Sequence, residues 1–485
     1  MMRASSIRPA LDADVCDRAL AARDARFDGV FFVGIRTTMI YCRPVCPARV
    51  SYKDRRRFFD TAAAAERDGF RPCMRCRPEL APGRASCDAV PRVAQAAAIR
   101  IAAGALNGRG VGDLAGELGV GERQLRRAME RELGVSPVEL AQTHRLLLAK
   151  RLLTDTALPV TRIAYASGFQ SLRRFNTAFR EHYRMSPSAL RRRPPRALVR
   201  RAADEAGAGL VRLTLGYRHP LDWDGMLETL AAGALPGAEA VADGRYLRTV
   251  RLGQCRGVVV IGIPTVPARD TRKPGCMPHL ELDVSESLLP ELMPLLARLR
   301  HLLDLDAEPA VIEAHLTATG LGELVAARPG LRVPGAFDGF ECALREIAGE
   351  AADAIVQELG EPVETGTRSL DRHTPTAAAV AQAGHAGLKF VGLRADECDA
   401  LVAVARAMAD GTLRLEPGGD PESALRALVE VPGIDERTAA VIVMRALHWP
   451  DAFPDPDAAS QEDTEAWRPW RAYAAAHLGP AALRS

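Results

Sequence analysis

Four cysteines constrain this chain more than anything else in its 485 residues. Cys42 and Cys46 are spaced C-x3-C, Cys73 and Cys76 are spaced C-x2-C, and 26 residues separate the pairs. Two close pairs that a fold draws together offer four thiolates in a tetrahedron, the arrangement of a closed zinc site. Arginines crowd them: Arg43 and Arg49 beside the first pair, Arg71, Arg75 and Arg77 around the second. Cationic neighbours and a metal both lower a thiol pKa, so thiolates are expected at neutral pH. On spacing alone, a purely structural zinc knuckle is the commoner use of such a site.

The surrounding residues add a chemistry. The segment from Asp24 through Gly34-Ile-Arg-Thr-Thr-Met-Ile-Tyr-Cys-Arg-Pro-Val-Cys-Pro, continued by Gly69-Phe-Arg-Pro-Cys-Met-Arg-Cys-Arg-Pro, resembles the N-terminal domain of the Ada (adaptive response to alkylation) family. The resemblance implies that Cys42 is both a zinc ligand and the acceptor of a methyl group from a DNA methyl phosphotriester. Cys46, Cys73 and Cys76 are then the remaining ligands, and Arg43 and Arg75 are candidate DNA contacts. A metal-held thiolate needs no general base to attack a methyl carbon. The product is a neutral thioether with nothing nearby to remove the methyl, so one turnover per molecule is expected. Losing one negative charge also weakens repulsion from the phosphate backbone, so methylation would act as an affinity switch. The P-C-H-R acceptor site of the same family is absent from the sequence, and repair of O6-methylguanine is not expected.

The length suits three or four domains, and 47% hydrophobic with 26% charged residues is ordinary globular composition. No run of 18 apolar residues occurs, so no membrane partner is expected. The N-terminus lacks an apolar signal region and the other six cysteines are scattered, which together suggest a cytoplasmic protein with reduced thiols. Charge divides the chain. Residues 1–200 hold 37 Lys+Arg against 19 Asp+Glu, a net of +18, and the remainder holds 27 against 42, a net of −15. The basic half calls for a polyanion, most simply double-stranded DNA.

Two helix-turn-helix signatures lie in that half, Val111 to Met129 and Pro159 to Arg180, with Gly119 and Gly168 at the tight turns. A helix from Ser136 to Thr154 joins them, with Leu140, Leu147, Leu148 and Leu152 as its expected core stripe. The pattern I-A-x-x-x-G-F-x-S-x-x-x-F-x-x-x-F-R in the second copy resembles the DNA-binding domain of the AraC family. Leu125, Met129, Phe175 and Phe179 should face the core. Arg123, Arg126 and Arg127, then Ser171, Arg173, Arg174, Asn176 and Arg180, could reach bases or phosphates.

Beyond a linker the periodicity changes. Leu210 to Leu215, Tyr246 to Leu252 and Gly257 to Ile263 alternate as strands, with a helix near Trp223 to Ala231. Tyr217-Arg-His-Pro-Leu-Asp-Trp and Pro236-Gly-Ala-Glu-Ala resemble the N-terminal β-rich domain of AlkA-type 3-methyladenine DNA glycosylases. Leu428-Val-Glu-Val-Pro-Gly-Ile-Asp-Glu-Arg-Thr-Ala resembles that family's helix-hairpin-helix, in which Gly433 and Thr438 would grip a DNA phosphate. The same resemblance makes Asp457 the catalytic aspartate, stabilising an oxocarbenium-like sugar while an alkylated base leaves. Asp435 and Arg437 stand where the family has glycine and tryptophan, and Gly479 stands where it has an aromatic. A carboxylate at 435 should repel phosphate and resist a positive φ. The segments after Gly349 and Asp457 are short for the family.

The expected architecture is multidomain: α+β, then all-α, then α+β. Residues 1–85 form the zinc methyl-acceptor domain, 86–196 the AraC-type domain, 197–208 a linker, 209–289 the β-rich domain and 290–485 the helix-hairpin-helix glycosylase domain. The expected function is an alkylation response: methyl uptake on Cys42 coupled to transcription activation at an operator with RNA polymerase, and excision of alkylated purines with Asp457. The rival is a transcription regulator with structural zinc and a vestigial glycosylase.

Overall fold

The computed structural model describes residues 12–49, 51–83, 92–191, 209–264, 278–367, 369–389 and 391–479. The expected 197–208 linker, the N-terminal segment, Cys87 and Cys276 lie outside the described residues. Two compact units emerge, residues 1–218 with 264–297, and residues 219–263 with 298–485.

The first unit opens with α1 (Ala13–Ala22), started by Asp12, whose carboxylate accepts from Asp14 N–H at 2.8 Å. A four-stranded sheet follows, built from β1 (Phe32–Ile35), β2 (Ile40–Cys42), β3 (Arg56–Phe59) and β4 (Arg71–Pro72) in the order β3-β1-β2-β4. β1 is antiparallel to both β2 and β3, but β2 and β4 run parallel, with Tyr41 opposite Pro72. α2 (Ala62–Arg67) makes that crossover. Gly34 is required in β1, because a Cβ there would lie 2.8 Å from the rings of Phe59 and Phe70.

Seven helices continue the unit: α3 (Arg92–Ala102), α4 (Val111–Glu117), α5 (Glu122–Leu133), α6 (Pro137–Asp155), α7 (Val160–Ala166), α8 (Leu172–Tyr183) and α9 (Pro187–Arg191). The turns before α5 and α8 use Gly119 and Gly168 at φ +66° and +87°, as expected of a helix-turn-helix. α6 starts at a capping box: Ser136 N–H donates to Glu139 Oε2 (2.7 Å) and Glu139 N–H to Ser136 Oγ (3.3 Å). The expected single stripe on α6 needs correction. Leu147 is only half-buried, whereas Leu146, Ala149, Lys150 and Arg151 are buried. The helix packs against α2, α3, α7 and α9, so neighbours cover it on several sides. β5 (Leu210–Gly216) then pairs antiparallel with β9 (His279–Ser285).

The second unit holds the antiparallel run β6 (Glu239–Ala242), β7 (Arg245–Leu252) and β8 (Cys255–Gly262), and the helix Trp223–Ala232. Helices at Gly339–Ala348, Ala395–Ala409, Pro421–Val429 and Glu436–Leu447 enclose a core that includes Phe340, Leu344, Leu401, Leu428 and Ile442. Arg248 is buried and Arg345 half-buried beside this core, and the two share Glu239 and Glu341 at 2.7–3.1 Å. No described helix is long and apolar enough to cross a membrane.

Candidate functional site: a four-thiolate centre and the Gly433 hairpin

Parallel pairing of β2 with β4 decides where the sulfurs go. Cys42 ends β2, and Cys73 follows β4 with its N–H donating to Tyr41 O at 3.0 Å. A turn in which Cys46 N–H reaches Arg43 O (3.1 Å) folds the first pair back on itself. All four sulfurs then lie within 4.8 Å of one another. Their residues are 5–9% exposed, so bulk water is largely excluded. Main-chain donors also point at the sulfurs, Arg43 N–H to Cys76 Sγ (3.4 Å) and Arg75 N–H to Cys73 Sγ (3.3 Å).

Four thiols this close compete for protons. Hydrogen bonding from Cys42 holds Cys46 and Cys73 below the ordinary thiol range, while bonding to Cys46 holds Cys42 above it. Exchanging those protons for one divalent cation ionises all four and removes the conflict. A buried, all-sulfur, four-member donor set fits zinc.

The arginines around the centre do different work from one another. Arg43 was expected at the DNA surface and is instead 1% exposed. Its Nε donates to Asp28 Oδ1 at 2.7 Å, a second nitrogen pairs with Asp28 Oδ2, and Nη1 donates to Cys76 O at 3.0 Å. The guanidinium holds the second cysteine loop from inside, which leaves it no surface for phosphate. Arg49 and Arg75 are exposed. Arg77 is tied down by Glu79 (3.0 Å) and Asp155 (2.8 Å).

In the recognition helices, Leu125, Met129, Phe175 and Phe179 are all fully buried, and Phe169, Phe175 and Phe179 meet in series, edge-on and tilted, with ring centres 5.2 and 5.6 Å apart. Arg123, Arg127, Arg173, Arg174 and Arg180 are exposed, while Ser171, Arg126 and Asn176 are half-buried. Ser171 is the cap of α8, accepting from Arg174 N–H at 3.5 Å. Arg126 is paired with Glu122 at 2.7 Å.

In the second unit, Gly433 has φ +90°, and a Cβ there would come within 2.8 Å of Asp396 O, so the hairpin requires glycine twice over. Asp435 departs from expectation. Its φ is −80°, so the backbone carries no left-handed strain. Its carboxylate caps the helix Glu436–Leu447 by accepting from Thr438 N–H at 2.7 Å. That bond holds the carboxyl below its ordinary range. The N–H that a phosphate would take is therefore already occupied. Arg437 lies 3.4 Å from Asp455, and Asp455 in turn accepts from Asp457 N–H at 3.2 Å. Asp457 itself is exposed on a one-turn 3-10 helix, Pro456–Ala458. Trp467 and Trp470 are buried, and Trp467 Nε1–H donates to Thr319 O at 3.2 Å.

Comparison with known proteins matches the metal binding domain of Ada to residues 15–79, a helix-turn-helix domain to 114–193 and the AlkA N-terminal domain to 212–338. The probable bifunctional transcriptional activator/DNA repair enzyme AlkA of Mycobacterium tuberculosis is 37% identical over 493 aligned residues, covering 96% of each chain. DNA-3-methyladenine glycosylase 2 of Escherichia coli is 33% identical over 286 residues, covering 55% of this chain and 95% of its own. The bifunctional transcriptional activator/DNA repair enzyme Ada of Escherichia coli is 45% identical over 64 residues, covering 13% and 18%.

Proposed function

Because the chain belongs to the family of bifunctional Ada-like transcriptional activators and AlkA-type DNA repair glycosylases, we propose that it takes a methyl group onto Cys42 from a DNA methyl phosphotriester and excises alkylated purines with Asp457. The observation that carries the first activity is the parallel β2–β4 pairing, which sets Cys42 and Cys73 side by side in a four-sulfur cluster. Cys42, Cys46, Cys73 and Cys76 would hold zinc, which keeps the sulfurs deprotonated without a general base. Cys42 Sγ attacks the methyl carbon in line with the phosphate oxygen. The S–C bond forms as the C–O bond breaks, and the phosphodiester leaves as its anion, so no proton moves. Arg75 is exposed beside the centre and suits the phosphate, and Arg43 supports the loop from within.

Residues 1–85 and 86–196 together make the DNA-reading half. The exposed arginines of α5 and α8 supply phosphate and base contacts at an operator, and activation there calls for RNA polymerase as partner. Loss of one negative charge on methylation favours that binding. Residues 209–289 and 290–485 make the excision half, with Gly433 and Thr438 at the hairpin. In it Asp457 stabilises the developing sugar cation and orients water. Action on chromosomal DNA locates the protein in the cytoplasm.

Base release from alkylated DNA tests the excision half. Wild type should release 3-methyladenine, and Asp457→Asn should lose about 100-fold or more of the rate, the scale of removing one preorganised electrostatic group. No release from wild type would make the second half a vestigial scaffold, a reading favoured by Asp435 occupying the helix terminus.

A further inference from the structure

Helix α6 carries a cation that DNA reading does not use. Lys150 is 1% exposed, and its Nζ donates to the carbonyl of Cys73 at 3.1 Å while pairing with Glu79 Oε2 at 2.6 Å. Glu79 is equally buried and is also bonded by Arg77 Nε at 3.0 Å. Arg77 reaches back to the end of α6 through Thr154 Oγ1 (2.9 Å) and Asp155 Oδ2 (2.8 Å). On the other side of the centre, Tyr41, the neighbour of Cys42, donates to Glu66 Oε1 at 2.8 Å, and Glu66 also accepts from Thr143 of α6.

A lysine fully removed from water is a poor device for stability alone. A buried ion pair usually does no better than the apolar residues that could replace it, although breaking one partner is costly. The position of Nζ accounts for the expense. The loop from Cys73 to Cys76 is held at the Cys73 N–H by Tyr41 O and at the Cys73 sulfur by Arg75 N–H. Its Cys73 carbonyl, buried between two ligand cysteines, is held by Lys150. Without Nζ that carbonyl loses this donor, and the Cys73 end of the loop loses its bond to α6.

We propose that Lys150 is a positioning residue of the thiolate centre, supplied by the helix that joins the two DNA-reading hairpins. The metal site is thus complete only while α6 is docked, and the state of the centre is felt at that helix. The inference rests on the reading of the four cysteines as zinc ligands. Substitutions in the shell behind metal ligands commonly cost about 10- to 100-fold in affinity.

The test uses the full-length, zinc-loaded protein and reads two quantities: the rate of zinc release to excess colorimetric chelator, and the thermal midpoint. Lys150→Met should release zinc about tenfold or more faster than wild type. That variant also leaves Glu79 short of a partner, so the double variant Lys150→Met/Glu79→Gln removes both charges. It should regain most of the lost midpoint and still release zinc fast. If slow release returns together with the midpoint, or if Lys150→Met releases zinc at the wild-type rate, Lys150 only stabilises the fold and the proposal is overturned. A wild-type protein that holds no zinc would instead overturn the underlying reading, before either variant is made.

Discussion

The thiolate centre and the Gly433 hairpin use the same device, a loop braced by an ion pair, with opposite settings. Lys150 and Glu79 meet at 2.6 Å with both side chains 1% exposed. Arg437 and Asp455 meet at 3.4 Å with side chains 37% and 19% exposed. Water and salt screen the second pair and hardly touch the first. The thiolate centre is therefore held in one geometry without DNA, as the proposed in-line attack on a small carbon would require. The Asp457 loop is held by short-range bonds, Asp457 N–H to Asp455 Oδ1 at 3.2 Å and Ala458 N–H to Asp455 O at 3.2 Å, and by that more exposed pair.

Withdrawing zinc should break this contrast most severely. A closed four-sulfur site contributes on the order of 10 kcal/mol to the fold around it. Chelation should raise amide exchange throughout β1–β4 by orders of magnitude and leave the helix Glu436–Leu447 as protected as before. Equal protection of β1–β4 with and without chelator would remove the basis for calling the centre preorganised.

Next in size is a pH effect confined to the second unit. Burial of most of the His448 side chain works against its charge, but Asp304 at 2.9 Å outweighs that and raises its pKa. Asp304 also accepts from Tyr473 Oη at 2.7 Å. A raised folded pKa gives stability that is fully present below the unfolded imidazole value of about 6.5 and is lost as pH rises through the folded value. Stability of this unit should fall over that rise, by an amount set by how far the folded value lies above the unfolded one. Thermal midpoints measured against pH should slope downward there in wild type and lie flat in His448→Gln.

The smallest effect on stability sharpens the comparison most on the DNA side. Asp435→Gly replaces one acceptable helix cap with another, at a cost of a few tenths of a kcal/mol. It also frees the Thr438 N–H and removes a negative charge where phosphate should sit. Affinity for alkylated DNA should rise, and a salt titration should show the gain shrinking as ionic strength increases. Unchanged affinity would mean that the carboxylate does not limit the hairpin's grip.

Much of this was legible in the sequence because its chemistry is local. The cysteine spacing and the glycines at 119 and 168 each report local backbone, and the structure has those turns. β9 is not among the expected strands, although the alternation His279-Leu-Glu-Leu-Asp-Val-Ser was its signal, and Leu280, Leu282 and Val284 are fully buried. What spacing could not reveal is direction. Arg43 beside a cysteine reads as a cation for phosphate, and only the fold turns it inward onto Asp28. Lys150 sits in a helix that reads as amphipathic, and burial on several sides depends on partners far away in the chain. Asp435 looked hostile to the hairpin because the family pattern has glycine there, yet its φ of −80° makes it an ordinary helix cap.

Of the four sulfurs, Cys42 is the one proposed to be alkylated. Intact and peptide mass spectrometry after incubation of zinc-loaded protein with methyl-phosphotriester DNA measures this directly. The expected result is a single added methyl group, mapped to Cys42 and missing in Cys42→Ser. An unmodified wild-type protein, or a methyl group on Cys46, Cys73 or Cys76, would contradict the account.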